Sequence, residues 1–135
     1  MEKPSRSRSR RKVLLVVEDE KLIRWSIRQA LRSEYLVRAV SSAEEAMRVL
    51  PRLRRLDGIL VDVRLPGMNG LDFIRKARES RPDAKVFVMT AYNHDTAARQ
   101  AFGVQADAYL SKPFELQTLK DMLASHLRTA SQVST

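Results

Sequence analysis

Four short apolar runs in this chain end on residues that could do chemistry. The run at 13–17 passes into Glu18-Asp19-Glu20, and the run at 58–61 ends on Asp62. The run at 86–89 ends on Thr90 with Ala91 behind it, and the run at 108–110 on Ser111-Lys112-Pro113. Three carboxylates brought into one crevice repel one another, which raises their pKa values and destabilises the empty site unless a cation enters. Oxygen donors with no Cys or His among them point to a hard divalent ion. Mg²⁺ suits, because it takes a few carboxylates, keeps several waters and adds phosphate oxygens. Thr90 adds a hydroxyl donor beside a residue small enough to let a ligand approach. Lys112 adds an ammonium beside a proline that suits a cis bond. A metal-binding acid cluster with a hydroxyl and a positive charge is what a phosphoryl group on Asp62 needs. Each residue alone has a plainer reading: Asp19 or Glu20 as a helix cap, Thr90 as a strand residue, Lys112 as a solvated cation.

Convergence requires a scaffold, and the pattern supplies one. Short apolar runs alternate with segments of helical period, the sign of βα units and a parallel sheet. Strands are predicted at 13–17, 36–40, 59–61, 86–89 and 108–110. Helices are predicted over 21–32, from the Ser41-Ser42 cap to near Leu50, and over 71–80, 95–102 and 115–127. The first places Ile23, Ile27, Ala30 and Leu31 on one face, with Trp25 off that stripe. In the second, Glu44 and Glu45 sit in the first turn and Pro51 stops or kinks the helix. Right-handed crossovers then give an α/β fold. It is a five-stranded parallel sheet of order 2-1-3-4-5, doubly wound with five helices, in the flavodoxin-like arrangement. Strands 1 and 3 are neighbours at the switch point, so Glu18 and Asp19 face Asp62 in the crevice where ligands bind.

At 135 residues, 44% hydrophobic and 30% charged, the chain has the size of one domain. No apolar stretch is long enough for a bilayer span or a signal-peptide core, so a cytoplasmic protein is expected. The absence of cysteine excludes disulfides, thiolate metal sites and a cysteine nucleophile. The net charge of +9 is concentrated at the start: residues 1–12 carry Lys3, Arg6, Arg8, Arg10, Arg11 and Lys12 against Glu2. The Ser-Arg alternation has no apolar face to bury, so residues 1–11 read as a basic disordered arm. The domain then covers 12–128, and 129–135 is a tail or the start of a linker. Nucleic acid is a possible partner only through that arm, with Arg48, Arg52, Arg54 and Arg55 as a further basic group; the plainer reading is a solvated tail and a solvated face.

The motifs, taken in order, resemble the receiver domains of two-component response regulators. They are Val16-Val17-Glu18-Asp19-Glu20, the segment Val61-Asp62-Val63-Arg64-Leu65-Pro66-Gly67-Met68-Asn69-Gly70, Met89-Thr90-Ala91, and Ala108-Tyr109-Leu110-Ser111-Lys112-Pro113-Phe114. Leu22-Ile23-Arg24-Trp25 and Thr90-Ala91-Tyr92 are similar to the nitrogen-regulatory, enhancer-binding subgroup. The resemblance implies that Asp62 is the phosphoacceptor, attacking the phosphohistidine of a sensor histidine kinase or a histidine phosphotransfer protein. It implies that Asp19 and Asp62 bind Mg²⁺ directly, Glu18 largely through water and Arg64 by its backbone carbonyl. Lys112 would pair with the phosphoryl oxygens and Thr90 would hydrogen-bond them. Tyr109 would swing inward with Thr90 and remodel the face formed by the fourth helix, fifth strand and fifth helix; packing alone also accounts for an aromatic between Ala108 and Leu110.

The resemblance thus implies a phosphorylation-switched signalling module, not an enzyme of metabolism, with a downstream output protein or an output domain beyond this chain as its partner. Phosphorylation-linked dimerisation is open, and no membrane partner is expected. The alternative is a receiver-like interaction module working without phosphorylation, against which the retained Asp62, Asp19, Thr90 and Lys112 speak. A flavin carrier on the same fold is disfavoured by the acidic loop after strand 1. Departures from the family pattern are Glu18 where aspartate is frequent, Gln105 where glycine is usual before strand 5, and Arg99 on the fourth helix. Arg64 and Tyr92 flank the water approach to Asp62, where they would either shield a phosphoryl group or point to solvent.

Overall fold

Strands with no polar alternation must be covered on both sides, and this sheet is. The computed structural model describes residues 11–62, 70–90 and 106–127, with only the backbone of Leu71 among them. The elements run β1 (Lys12–Val17), α1 (Lys21–Leu31), β2 (Tyr35–Val40), α2 (Ala43–Val49) with a 3₁₀ turn (Leu50–Arg52), and β3 (Gly58–Asp62). They continue with α3 (Gly70–Ser80), β4 (Lys85–Thr90), β5 (Ala108–Ser111) and α4 (Leu116–His126). All neighbouring strands pair in parallel, in the order β2-β1-β3-β4-β5. This is the predicted sheet. The predicted helix over 95–102, with Arg99 and Gln105, lies outside the described residues, as do Arg64, Tyr92, residues 1–10 and the tail from 128.

Alternate residues of each strand feed two cores. Leu15, Val17, Ile59, Val61, Val86 and Val88 pack with Ala46 of α2 and Phe73, Ile74 and Ala77 of α3. Leu14, Val16, Leu60, Phe87 and Met89 pack with Ile27 and Leu31 of α1 and Leu119 and Leu123 of α4. Among the described residues, two helices therefore close each face. In α1 the predicted stripe is largely right: Ile27 and Leu31 are buried and Ile23 and Ala30 are half-buried, while Trp25 is exposed.

Local signals act as their chemistry requires. Ser42 Oγ accepts from the Glu45 N–H at 3.0 Å, and Glu45 Oε1 accepts from the Ser41 N–H at 3.0 Å, so two free amides at the start of α2 are satisfied reciprocally. Pro51 sits where α2 tightens into the 3₁₀ turn. The strands reach further than their apolar runs. Asp62 and Thr90 are the last members of β3 and β4, in register with Met89 and Ser111, so the ladder fixes their backbones.

The amino end of the sheet is held by two carboxylates whose structural role has no sequence signal. Asp57 Oδ2 accepts from the Val13 N–H at 2.8 Å and from Arg55 Nε at 3.0 Å. Asp107 Oδ2 accepts from the Val86 N–H at 2.7 Å and from Arg78 at 2.9 Å. The Arg81 guanidinium donates to the carbonyls of Leu50 and Leu53, tying the turn before β3 to the end of α3.

The packing makes two outcomes measurable. A Cβ on Gly58 would stand 2.8 Å from Leu14 Cδ2 and 3.2 Å from Phe87 Cε2, inside a closed core. Gly58→Ala is therefore expected to cost about 1 to 3 kcal/mol in urea unfolding, and an unchanged midpoint would refute the close approach. The buried Tyr35 hydroxyl is held neutral by desolvation and then by the Glu34 charge, which push its pKa from 10.0 to about 12. The raised folded pKa means that this stabilisation is complete below pH 10 and is lost as pH rises through about 12. Tyr35→Phe should remove that part of the alkaline loss, on the order of 1 to 3 kcal/mol. Parallel pH–stability curves for the two proteins would contradict it.

Candidate functional site

The carboxyl ends of β1 and β3 are adjacent, and each delivers an acid. Beyond β1, the Glu18 N–H donates to the Val40 carbonyl at 3.1 Å, which anchors the residue to β2. Its side chain is fully buried: Oε2 accepts from the Glu20 N–H at 3.0 Å and Oε1 from Lys112 Nζ at 3.1 Å. Asp62, 3% exposed, accepts from the same Lys112 Nζ through Oδ2 at 2.9 Å. Asp19 is exposed beside them, and oxygens of Glu18, Asp19 and Asp62 all lie within 4.8 Å of one another.

Lys112 is placed by the sheet. Its backbone N–H donates to the Thr90 carbonyl at 2.8 Å, so the turn after β5 is fastened to the end of β4. The Lys112–Pro113 bond is cis. Thr90 is buried at the carboxyl end of β4, next to β3 in the sheet. Tyr109 pairs with Val88 and is half-buried against the core on the α2 and α3 side.

The electrostatics are those of a crowded acid site. Burial pushes the Glu18 carboxyl up, and Asp62 adds repulsion; hydrogen bonds from the Glu20 N–H and from Lys112 oppose this without cancelling it. Burial alone would lower the Lys112 ammonium, but its bonds and attraction to Asp62 and Glu18 outweigh that and raise it, so it stays charged. Two of the three carboxylates, Glu18 and Asp62, thus share the Lys112 ammonium. The donor set is all oxygen, which fits a hard divalent cation.

Glu18, Asp19, Asp62 and Lys112 therefore come together as expected, with Thr90 at the neighbouring strand end, whereas Arg64 lies outside the described residues. The cap reading of the acids fails for Glu20: it occupies the N-cap of α1, but its side chain makes no capping bond. Sequence reasoning missed Arg24. Its guanidinium donates to the carbonyls of Glu18 at 2.9 Å and Asp19 at 3.4 Å, holding the acidic loop from the first turn of α1. Its position on the helix reads as an ordinary basic surface residue, and only the folded loop reveals the contact.

A family model described as the response regulator receiver domain matches residues 14–124, which run from β1 into α4 and contain every site residue named above. The two-component response regulator PhoP of Pseudomonas aeruginosa is 35% identical over 119 residues, covering 87% of this chain and 52% of that protein. The DNA-binding transcriptional regulator NtrC of Escherichia coli (strain K12) is 32% identical over 127 residues, covering 90% of this chain and 27% of that protein. The chain thus spans about half the length of the first relative and about a quarter of the second. Among solved structures, a CheY-like receiver domain protein from Methanospirillum hungatei matches with a TM-score of 0.78 and 28% identity, over 92% of this chain and 98% of that one. The chemotaxis protein CheY4 of Vibrio cholerae matches with a TM-score of 0.80 and 26% identity, over 87% of this chain and 99% of that one. Motifs, sheet order and site geometry agree with these matches: the chain belongs to the response regulator receiver domain family of two-component systems.

Proposed function

We propose that Asp62 accepts a phosphoryl group from the phosphohistidine of a sensor histidine kinase or a histidine phosphotransfer protein, in a Mg²⁺-dependent reaction, and that this switches a surface read by a partner. The observation that carries the reading is the convergence of Glu18, Asp19 and Asp62 within 4.8 Å, with Lys112 Nζ 2.9 Å from Asp62 Oδ2. In the transfer, an Asp62 carboxylate oxygen bonds to phosphorus as the phosphorus–nitrogen bond breaks, and the electron pair leaves with the imidazole nitrogen. Such a transfer needs positioning and charge neutralisation more than covalent help. The β3 ladder holds Asp62, Lys112 follows the negative charge onto the phosphoryl oxygens, and the Thr90 hydroxyl donates to one of them.

Asp19 and Asp62 would hold Mg²⁺ directly, Arg64 through its carbonyl, and Glu18, buried and already bonded to Lys112, through water. Bound there, the ion supplies charge neutralisation for the phosphoryl oxygens. Thr90 and Tyr109 form the switch, turning the face that includes β5 and α4. The domain works as a signalling module whose partner is an output protein or an output domain beyond this chain, not as an enzyme of metabolism. No helix among the described residues is long and apolar enough to cross a membrane, which accords with a cytoplasmic setting.

Incubation with a small phosphodonor and Mg²⁺ is expected to add one phosphate by intact mass, and Asp62→Asn to add none. No adduct on the unaltered protein would favour an interaction module that works without phosphorylation. Mg²⁺ itself should stabilise the fold. At a concentration about ten times its Kd the gain is about 1.4 kcal/mol, a rise of several degrees in Tm. Chelation should reverse the rise and Asp19→Asn should abolish most of it; an equal rise in that variant would place the ion elsewhere.

A further inference from the structure

The β2 edge of the sheet carries a second charged feature that the phosphoacceptor site does not use. Along β2 from Leu36 to Arg38, beside the start of β1 and the turn before β3, Arg11, Arg38, Arg54 and Arg55 surround a groove of 430 Å³ whose apolar floor includes Val13 and Leu53. No acid lines it among the described residues. Arg55 is pinned by Asp57 at 3.0 Å, Arg11 donates to the Arg32 carbonyl at 3.5 Å, and Arg38 is near enough to Glu45 to help hold its carboxyl low; none of the described salt bridges involves Arg11, Arg38 or Arg54. In the sequence Arg11, Arg38 and the Arg54-Arg55 pair stand far apart; the parallel pairing of Val13 with Leu36 and the return of the chain through Asp57 bring them together.

We propose that this groove binds the phosphodiester backbone of nucleic acid. A guanidinium fork matches a phosphate in two-point geometry, and several forks over a low-polarity floor favour an extended polyanion over one small ion. No aromatic side chain lines the groove among the described residues, so base stacking contributes nothing there and binding is independent of sequence. Its driving force is counterion release, which makes it steeply salt-dependent. None of Glu18, Asp19, Asp62 and Lys112 lines the groove, so a nucleic acid held there leaves the acid cluster open.

The test is fluorescence anisotropy of a short labelled DNA duplex with the full chain over a salt series. Arg38 and Arg54 are both exposed, so the Arg38→Gln, Arg54→Gln double variant should keep its fold, checked by circular dichroism. It is expected to bind about tenfold more weakly, with the log–log salt slope reduced by about 2. The control is Arg75→Gln, Lys76→Gln, which removes two exposed positive charges from α3 and is expected to bind as the unaltered protein does. Absence of salt-dependent binding overturns the proposal. So does an equal loss in both double variants, which would reduce the effect to net charge, or no loss in the groove variant, which would leave the arm alone responsible. Competition by polyglutamate as strong, charge for charge, as that by DNA would also overturn it, in favour of an acidic protein.

Discussion

Two buried carboxylates, Glu18 and Asp62, share the single ammonium of Lys112, and the carboxyl end of the sheet is arranged around that unequal pairing. Taking a charge out of water is costly, and among the described residues Lys112 is the one cation in ion-pair contact with both. The remaining imbalance, increased by Asp19 within 4.8 Å, is a standing attraction for added positive charge. A group so placed is also a ready carrier of a phosphoryl group, because transfer moves negative charge outward onto oxygens that a cation and Lys112 can reach.

The same sheet uses acids in the opposite way at its other end. Asp57 and Asp107 each accept from one strand amide and one arginine, so their charge is matched where they stand. They brace β1 and β4 at the amino end while β3 and β4 present Asp62 and Thr90 as their last residues. Among the described residues, the acid cluster differs from these two in that Glu18 and Asp62 share one ammonium, whereas Asp57 and Asp107 each hold an arginine of their own.

Much of this was legible in the sequence because the physics is local in the chain. Apolar runs of strand length, the Ser42 cap with Glu45 and the break at Pro51 each determine their own neighbourhood, and a doubly wound sheet then brings residues 18, 19, 62, 90 and 112 to one end. Asp62 and Thr90 stood out because a polar residue ends an apolar run. Contacts between distant segments where neither partner is unusual alone escaped: Arg81 on Leu50 and Leu53, and Asp107 on Val86. The groove arginines escaped for the same reason. Arg54 and Arg55 read as part of a solvated basic group until the β1–β2 pairing sets Arg38 and Arg11 beside them.

The charge imbalance at the end of β3 should make Asp62, and neither Asp19 nor Glu18, the residue that carries a phosphoryl group. Hydride reduction distinguishes them, because borohydride converts an acyl phosphate to a primary alcohol and leaves free carboxylates intact. After exposure to a phosphodonor and Mg²⁺, borohydride trapping and peptide mass mapping should find homoserine at position 62. Reduction at position 18 or 19, or no reduced residue at all under conditions that phosphorylate a known receiver, would overturn that assignment.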